Sequence, residues 1–188
     1  MEFQWRQPPE EYKISENVIW MRAGKETNLF NGVSGAFKCG NFPYYFTEWE
    51  GDFRIRCKVS VEFQSVYDLG CIVIYENEDT WMKLAYENSD TGHPAIVSIV
   101  TRERSDDCNG ERAEGDIWLQ ICRKGNMFSM HYSEDNQHWK LVRIFFLAMK
   151  PIVQVGVSVQ CPTGESCLAE FRELEIGENP YEDIRNLR

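Results

Sequence analysis

Alternation with a period of two dominates the chain. From Phe53 to Val61 every odd position is apolar, while the even positions carry Arg54, Arg56, Lys58 and Ser60. Successive side chains of a strand point to opposite faces, so residues 52–62 are predicted as a strand with one buried and one wet face. Further strands are expected at 69–75, 81–87, 95–102, 116–123, 127–133, 139–145, 152–160 and 167–176, with weaker ones at 18–21 and 44–47. The stretch 69–75 is apolar throughout apart from Gly70.

The breaks between these runs gather Asn, Asp and Gly at 76–79, 88–92, 124–126, 134–137 and 162–164. These residues accept the backbone angles of tight turns. Strands of this length joined by short turns describe antiparallel hairpins. No helical stripe stands out, although 142–149 allows a short helix and 181–188 a helical turn. About ten strands that each bury one face predict two packed sheets, with a closed barrel as the alternative. The expected fold class is all-β, a two-sheet antiparallel sandwich. It is expected to fill residues 1–188 as one domain, with a core over about 5–176 and a tail at 177–188.

Composition then narrows the partners. The chain has 188 residues, of which 43% are apolar, and a formal net charge of -10. The apolar share is too large for a disordered chain. The negative balance argues against nucleic acid, whose binders present basic patches, and against anionic membranes. The longest apolar run, Ile144 to Met149, is far below the roughly 18 residues of a membrane helix. The N-terminus has no basic start followed by an apolar stretch, so no targeting segment is expected and the setting is expected to be cytoplasmic. Seven cysteines, an odd number without any CxxC pair, fall largely within strand patterns. They read as reduced, buried residues of a cytosolic protein. A disulfide between Cys161 and Cys167 is the open alternative.

Candidate chemistry starts at 81–87. As a strand, Trp81, Lys83 and Glu87 share one face, and Met82, Leu84 and Tyr86 share the other, the natural core face. An exposed indole beside a cation and an anion suits a polyhydroxylated ligand, the ring stacking and the charges bonding hydroxyls. A plain cross-strand ion pair would look the same. The strand at 95–102 runs into a polar loop with Ser105 and Asp106, and loops at strand ends often carry function. Further along, Trp118 and His131 fall on the polar faces of a hairpin that turns at 124–126. The Asp135-Asn136 turn offers too few oxygens for calcium. No nucleophile elbow, His-Glu-x-x-His or phosphate-binding glycine loop occurs, and His93, His131 and His138 lack metal-ligand spacing. No metal or cofactor is expected.

Several of these segments together resemble a known family. The run Leu69 to Tyr75, the strand Trp81-Met82-Lys83-Leu84-Ala85-Tyr86-Glu87, then Ser98-Ile99-Val100-Thr101 and Ser105-Asp106, resemble the signature of domain-of-unknown-function family 1349. That is the regulation-of-enolase-like family of the concanavalin A-like lectin/glucanase superfamily. Trp118 to Arg123, the Tyr132-Ser133-Glu134-Asp135 turn with Trp139, and Val155-Gly156-Val157 before Cys161-Pro162 continue the match in order, from Trp5 to Ile176. The resemblance implies a concanavalin A-like jelly roll. It also implies a shared functional face of Trp81, Lys83, Glu87, Thr101, Ser105, Asp106 and Arg123. Asp107 departs from the pattern, since the family commonly has Trp there.

Three functions follow. The first is a non-catalytic protein that binds a carbohydrate or related polar ligand on the concave sheet face, through the residues above with Trp118 and His131. The second is a regulatory or scaffolding protein that acts through protein contacts. The third is a glycoside hydrolase, for which Glu87 and Asp106 are the carboxylate pair to test.

Overall fold

The computed structural model describes residues 1–188. It is all-β, with β1 (Gln4–Trp5), β2 (Glu11–Ile14), β3 (Val18–Gly24), β4 (Asn28–Asn31), β5 (Lys38–Asn41), β6 (Tyr45–Glu50), β7 (Phe53–Glu62) and β8 (Leu69–Asn77) in the first part of the chain. The second part forms β9 (Thr80–Asn88), β10 (Pro94–Arg102), β11 (Arg104–Arg112), β12 (Ile117–Lys124), β13 (Met127–Ser133), β14 (Lys140–Phe146), β15 (Ile152–Gln160) and β16 (Ser166–Gly177). Two seven-stranded antiparallel sheets stack in a jelly-roll sandwich. The first has the order β1-β6-β15-β8-β9-β10-β11, and the second β14-β13-β12-β7-β16-β3-β2. The hairpin β4–β5 forms a separate two-stranded piece.

Period-two patterning explains the layers. Ile55, Cys57 and Val59 of β7 and Leu119 and Ile121 of β12 face Ile72, Ile74, Met82 and Leu84 of β8 and β9, in one core of 32 buried residues. Fully burying a side chain of this size contributes about 1.5–3 kcal/mol, so the gap between the sheets carries most of the stability.

A second core of 13 residues lies on the outer face of the first sheet. Leu29, Phe42 and Tyr44 cover Phe46, Leu69, Cys71, Val73, Tyr75, Trp81 and Ala85 there. The centre of this sheet is therefore buried on both sides. That explains why 69–75 reads as a continuous apolar run and not as an alternating one.

The segment 104–112, expected as a loop, is the edge strand β11. Glu103 sits at a φ of 63° and turns the chain directly from β10 into it. Eight of its nine residues are exposed or charged to the solvent side, so no alternation marks it in the sequence. A charged edge also discourages pairing with other chains. The possible helix at 142–149 is absent, since β14 runs through 146. All seven cysteines are free thiols, so Cys161 and Cys167 are not bridged. No helix is long and apolar enough to cross a membrane.

Candidate functional site

The side chains of β9 point as the alternation predicts, but the face opposite Met82, Leu84 and Tyr86 is roofed over. Trp81 is fully buried in the second core and cannot offer a stacking surface. Lys83 and Glu87 lie further along the same face, where the apolar cover ends. They border a cavity of about 380 Å³. Its floor is Lys83, Glu87, Ile99 and Leu69; its walls include Asp107 and Asn109 of β11, Asp90 of the β9–β10 turn, and Asn28 and Phe30 of β4. Phe37 and Tyr67 stand at its mouth, about half and one third exposed.

Register places Asp107 there and removes Asp106. Asp107 pairs with Ile99 and shares its outward face, whereas Asp106 pairs with Val100, whose side chain is in the inter-sheet core. Asp106 accordingly reaches the other way and binds Arg143 at 2.9 Å. Glu87 and Asp106 thus point to opposite faces, and the proposed carboxylate pair is not formed.

Lys83 is fully buried. Its Nζ donates one hydrogen bond, to Gln160 Oε1 at 2.9 Å, and an ammonium has three hydrogens to place. Burial pulls its pKa down, against the attraction of Cys71 and Glu87. Glu87 is buried and receives no hydrogen bond from the protein. Burial pushes its carboxyl up to about 7, and nearby Lys83 recovers only part of that loss. Asp107 is also raised, first by burial. Asp90 accepts from Asn109 Nδ2 at 3.2 Å and from the Tyr67 hydroxyl at 3.4 Å.

Thr101 and Ser105 belong to a latch instead of the cavity lining. Their hydroxyls bond each other at 2.9 Å, and Ser105 Oγ accepts the Asn31 N–H at 3.0 Å. Asn31 Nδ2 then donates to the Glu78 and Glu103 carbonyls. Gln160 Oε1, the partner of Lys83, also accepts the Leu29 N–H at 3.1 Å. These bonds fix β4 across the sheet, and β4 with its following loop supplies Asn28, Phe30 and Phe37 to the cavity.

A model of a family described as protein of unknown function (DUF1349) matches residues 5–179. The chain belongs to this family. It is 23% identical over 143 residues to Regulation of enolase protein 1 of Saccharomyces cerevisiae, spanning 74% of this chain and 71% of that protein. A functionally unknown protein from Saccharomyces cerevisiae has a crystal structure that superposes with a TM-score of 0.89 at 20% identity, over 94% of this chain and 96% of that one. The carbohydrate binding module CBM66 from Bacillus subtilis superposes at 0.57 with 8% identity, over 94% and 95%. At such identities the structural likeness is one of fold.

The remaining expected site residues of this DUF1349 chain are on the second sheet. Arg123 is buried at the end of β12, where its guanidinium donates to the carbonyls of Gly125 and Lys150 at 2.8 Å and of Met149 and Pro151 at 3.3 Å. It ties the 149–151 crossover to the β12–β13 hairpin with four of its five N–H groups and does not line the cavity. Trp118 packs on the outer face of β12, nearly buried, with the Arg56 guanidinium 6.0 Å from its ring. His131 is buried under the tail, its Nε2 3.2 Å from the Arg185 carbonyl oxygen, beside a second cleft formed with Trp139, Tyr181 and Asn186. Of the nine expected residues, only Lys83 and Glu87 come together at the cavity.

Asp107, Asp90, Phe37 and Tyr67 were not foreseen. The signal available for Asp107 was its two-residue spacing from Ser105. Tyr67 carries a backbone signal only the structure reveals, a φ of 70° in a non-glycine residue. Its loop is pinned by Asp68 Oδ2, which accepts the N–H groups of Gln64 and Ser65 at 2.9 and 2.7 Å.

Proposed function

We propose that the chain is a non-catalytic binding protein that holds a carbohydrate or related small polar ligand in the cavity over Lys83, Glu87 and Asp107. One observation carries the reading: a buried ammonium and a buried carboxyl reach the same cavity with hydrogen-bonding capacity that the protein does not use. Buried polar groups are nearly always partnered, so unused capacity at a cavity wall points to a ligand. Phe37 and Tyr67 add flat apolar surfaces suited to the C–H faces of a sugar ring. The fold shared with a carbohydrate binding module agrees with this use.

Titration calorimetry against a panel of mono- and oligosaccharides tests the proposal. Saturable binding, weakened by Tyr67→Ala and by Lys83→Met and with the sugar recovered unchanged, is the expected result. No binding across the panel, or binding indifferent to both changes, overturns it. A regulatory role through protein contacts is the second reading, favoured by the name of the yeast relative. It expects the chain to change the activity of purified enolase, and an unchanged rate rejects it. The free thiols favour a reducing, cytosolic setting for one domain spanning residues 1–188.

A further inference from the structure

We propose that the cavity ligand is cationic, a sugar or cyclic polyol bearing a protonated amine that seats against Glu87 and Asp107. This rests on the binding role proposed above and specifies its chemistry. The cavity gathers three carboxyls, Glu87, Asp90 and Asp107, against the single ammonium of Lys83. Lys83 gives one of its three hydrogens to Gln160 and is the single positive charge facing all three carboxyls. Asp90 is held by Asn109 and the Tyr67 hydroxyl. Glu87, by contrast, is nearly buried and free of any donor.

A buried carboxylate calls for an opposite charge with hydrogens to give. The protein has no other cation to offer. Arg112, two strands away, turns to Glu114, and the nearest remaining groups facing Glu87 are the Cys71 thiol of β8 and Tyr67 of the β7–β8 loop. No group of three His, Cys, Asp or Glu is arranged to hold a metal ion. A primary ammonium suits this carboxyl pair, with three donors for Glu87 and Asp107. The faces of Phe37 and Tyr67 at the mouth also attract a cation. A uronic acid would instead meet uncompensated negative charge.

The raised carboxyls give the binding a pH signature. The ammonium favours ionised Glu87, so binding displaces its proton. Affinity then rises with pH through about 7 and levels off above it, and the complex forms about tenfold more weakly at pH 6 than at pH 8.

Matched triads of methyl glycosides provide the test, each with a 6-amino, a 6-hydroxyl or a 6-carboxyl group, in gluco, galacto and manno configurations. The amino member should bind at least about tenfold more tightly than its hydroxyl partner at pH 8, a step of about 1.4 kcal/mol or more. Calorimetry at pH 6, where Glu87 is largely protonated, in buffers of different ionisation heat should record proton release only for the amino member. Glu87→Gln and Asp107→Asn should erase the preference for the amino over the hydroxyl member, read as the ratio of the two affinities within each variant. Equal or tighter binding of the hydroxyl or carboxyl members overturns the inference and leaves the binding role standing. Failure of all members to bind overturns both.

Discussion

Replacing Glu87 by glutamine should make the protein more stable, and by an amount that depends on pH. The Glu87 carboxyl rises from its ordinary 4.5 to about 7 on folding, mainly through burial. At about 1.4 kcal/mol for each unit, keeping the group ionised in the native state costs about 3 kcal/mol above pH 7. The sign follows from proton counting. Between about 4.5 and 7 the native protein holds a proton that the unfolded chain has released, so stability falls as pH rises through this window. Above 7 both states are ionised and the loss is complete. Below 4.5 both are protonated and the loss vanishes. Glutamine keeps the shape and does not ionise. Urea unfolding of both proteins from pH 4 to 8 should give curves that coincide at the acid end and diverge to about 3 kcal/mol at pH 8. In thermal melts at pH 8 that difference corresponds to roughly 6–12 °C. Asp107 and Lys83 are shifted by burial in both proteins and largely cancel. A constant difference across the range, or a glutamine variant less stable at pH 8, would refute the idea that Glu87 is an uncompensated buried acid. A stabilising change within a binding site is the usual mark of a group kept for function at the expense of stability.

Other residues make sharper distinctions between holding the fold and holding a ligand. Tyr67→Gly should weaken saccharide binding by about tenfold in calorimetry yet leave stability equal or up to about 1 kcal/mol higher, because glycine accepts the φ of 70° without strain. Arg123→Met should cost about 2–4 kcal/mol in urea unfolding, since four carbonyls lose their donor, while binding in the folded protein stays unchanged. Gly156→Ala should destabilise by about 1–3 kcal/mol or more, because a Cβ would press on the Tyr45 carbonyl oxygen and lie 2.7 Å from Phe46 Cα across the β15–β6 pair. In native alkylation at pH 8, Cys108 and then Cys39 should react, with the other five thiols labelled only after unfolding. Burial hides those five and raises the thiols of Cys71, Cys122 and Cys161 to about 12.

The sandwich was legible because antiparallel strands write their buried faces into the sequence at every second position. The outward direction of Lys83 and Glu87 could be read in the same way. That this face is covered could not, since the cover is Leu29, Phe42 and Tyr44, from a segment with no strong period of its own. The apolar run at 69–75 was the trace it left. Arg123 was placed with Trp81 by the family resemblance, and Trp118 and His131 by the polar side of their hairpin. Alternation tells which way a side chain points from its strand, but not which sheet the strand joins, and β12 and β13 join the other one. Asp106 and Asp107 exchanged roles for a simpler reason: a strand without alternation gives no register until its partner Ile99 is known.

The hairpin that walls the cavity has a consequence for how the chain is made. Leu29 hands its N–H to Gln160, 131 residues later. During synthesis at about 5–20 residues per second, β4 leaves the ribosome roughly 7–25 s before its acceptor exists. The residues that Leu29 and Phe42 pack on, in β8 to β10, are made well within that interval, but the bond that fixes β4 across the sheet is not. Contacts so distant in sequence also close slowly. The cavity is therefore expected to be completed only after β15 takes its place between β6 and β8. Until then the hairpin can lie on its apolar partners but lacks the anchor that sets its position over the cavity.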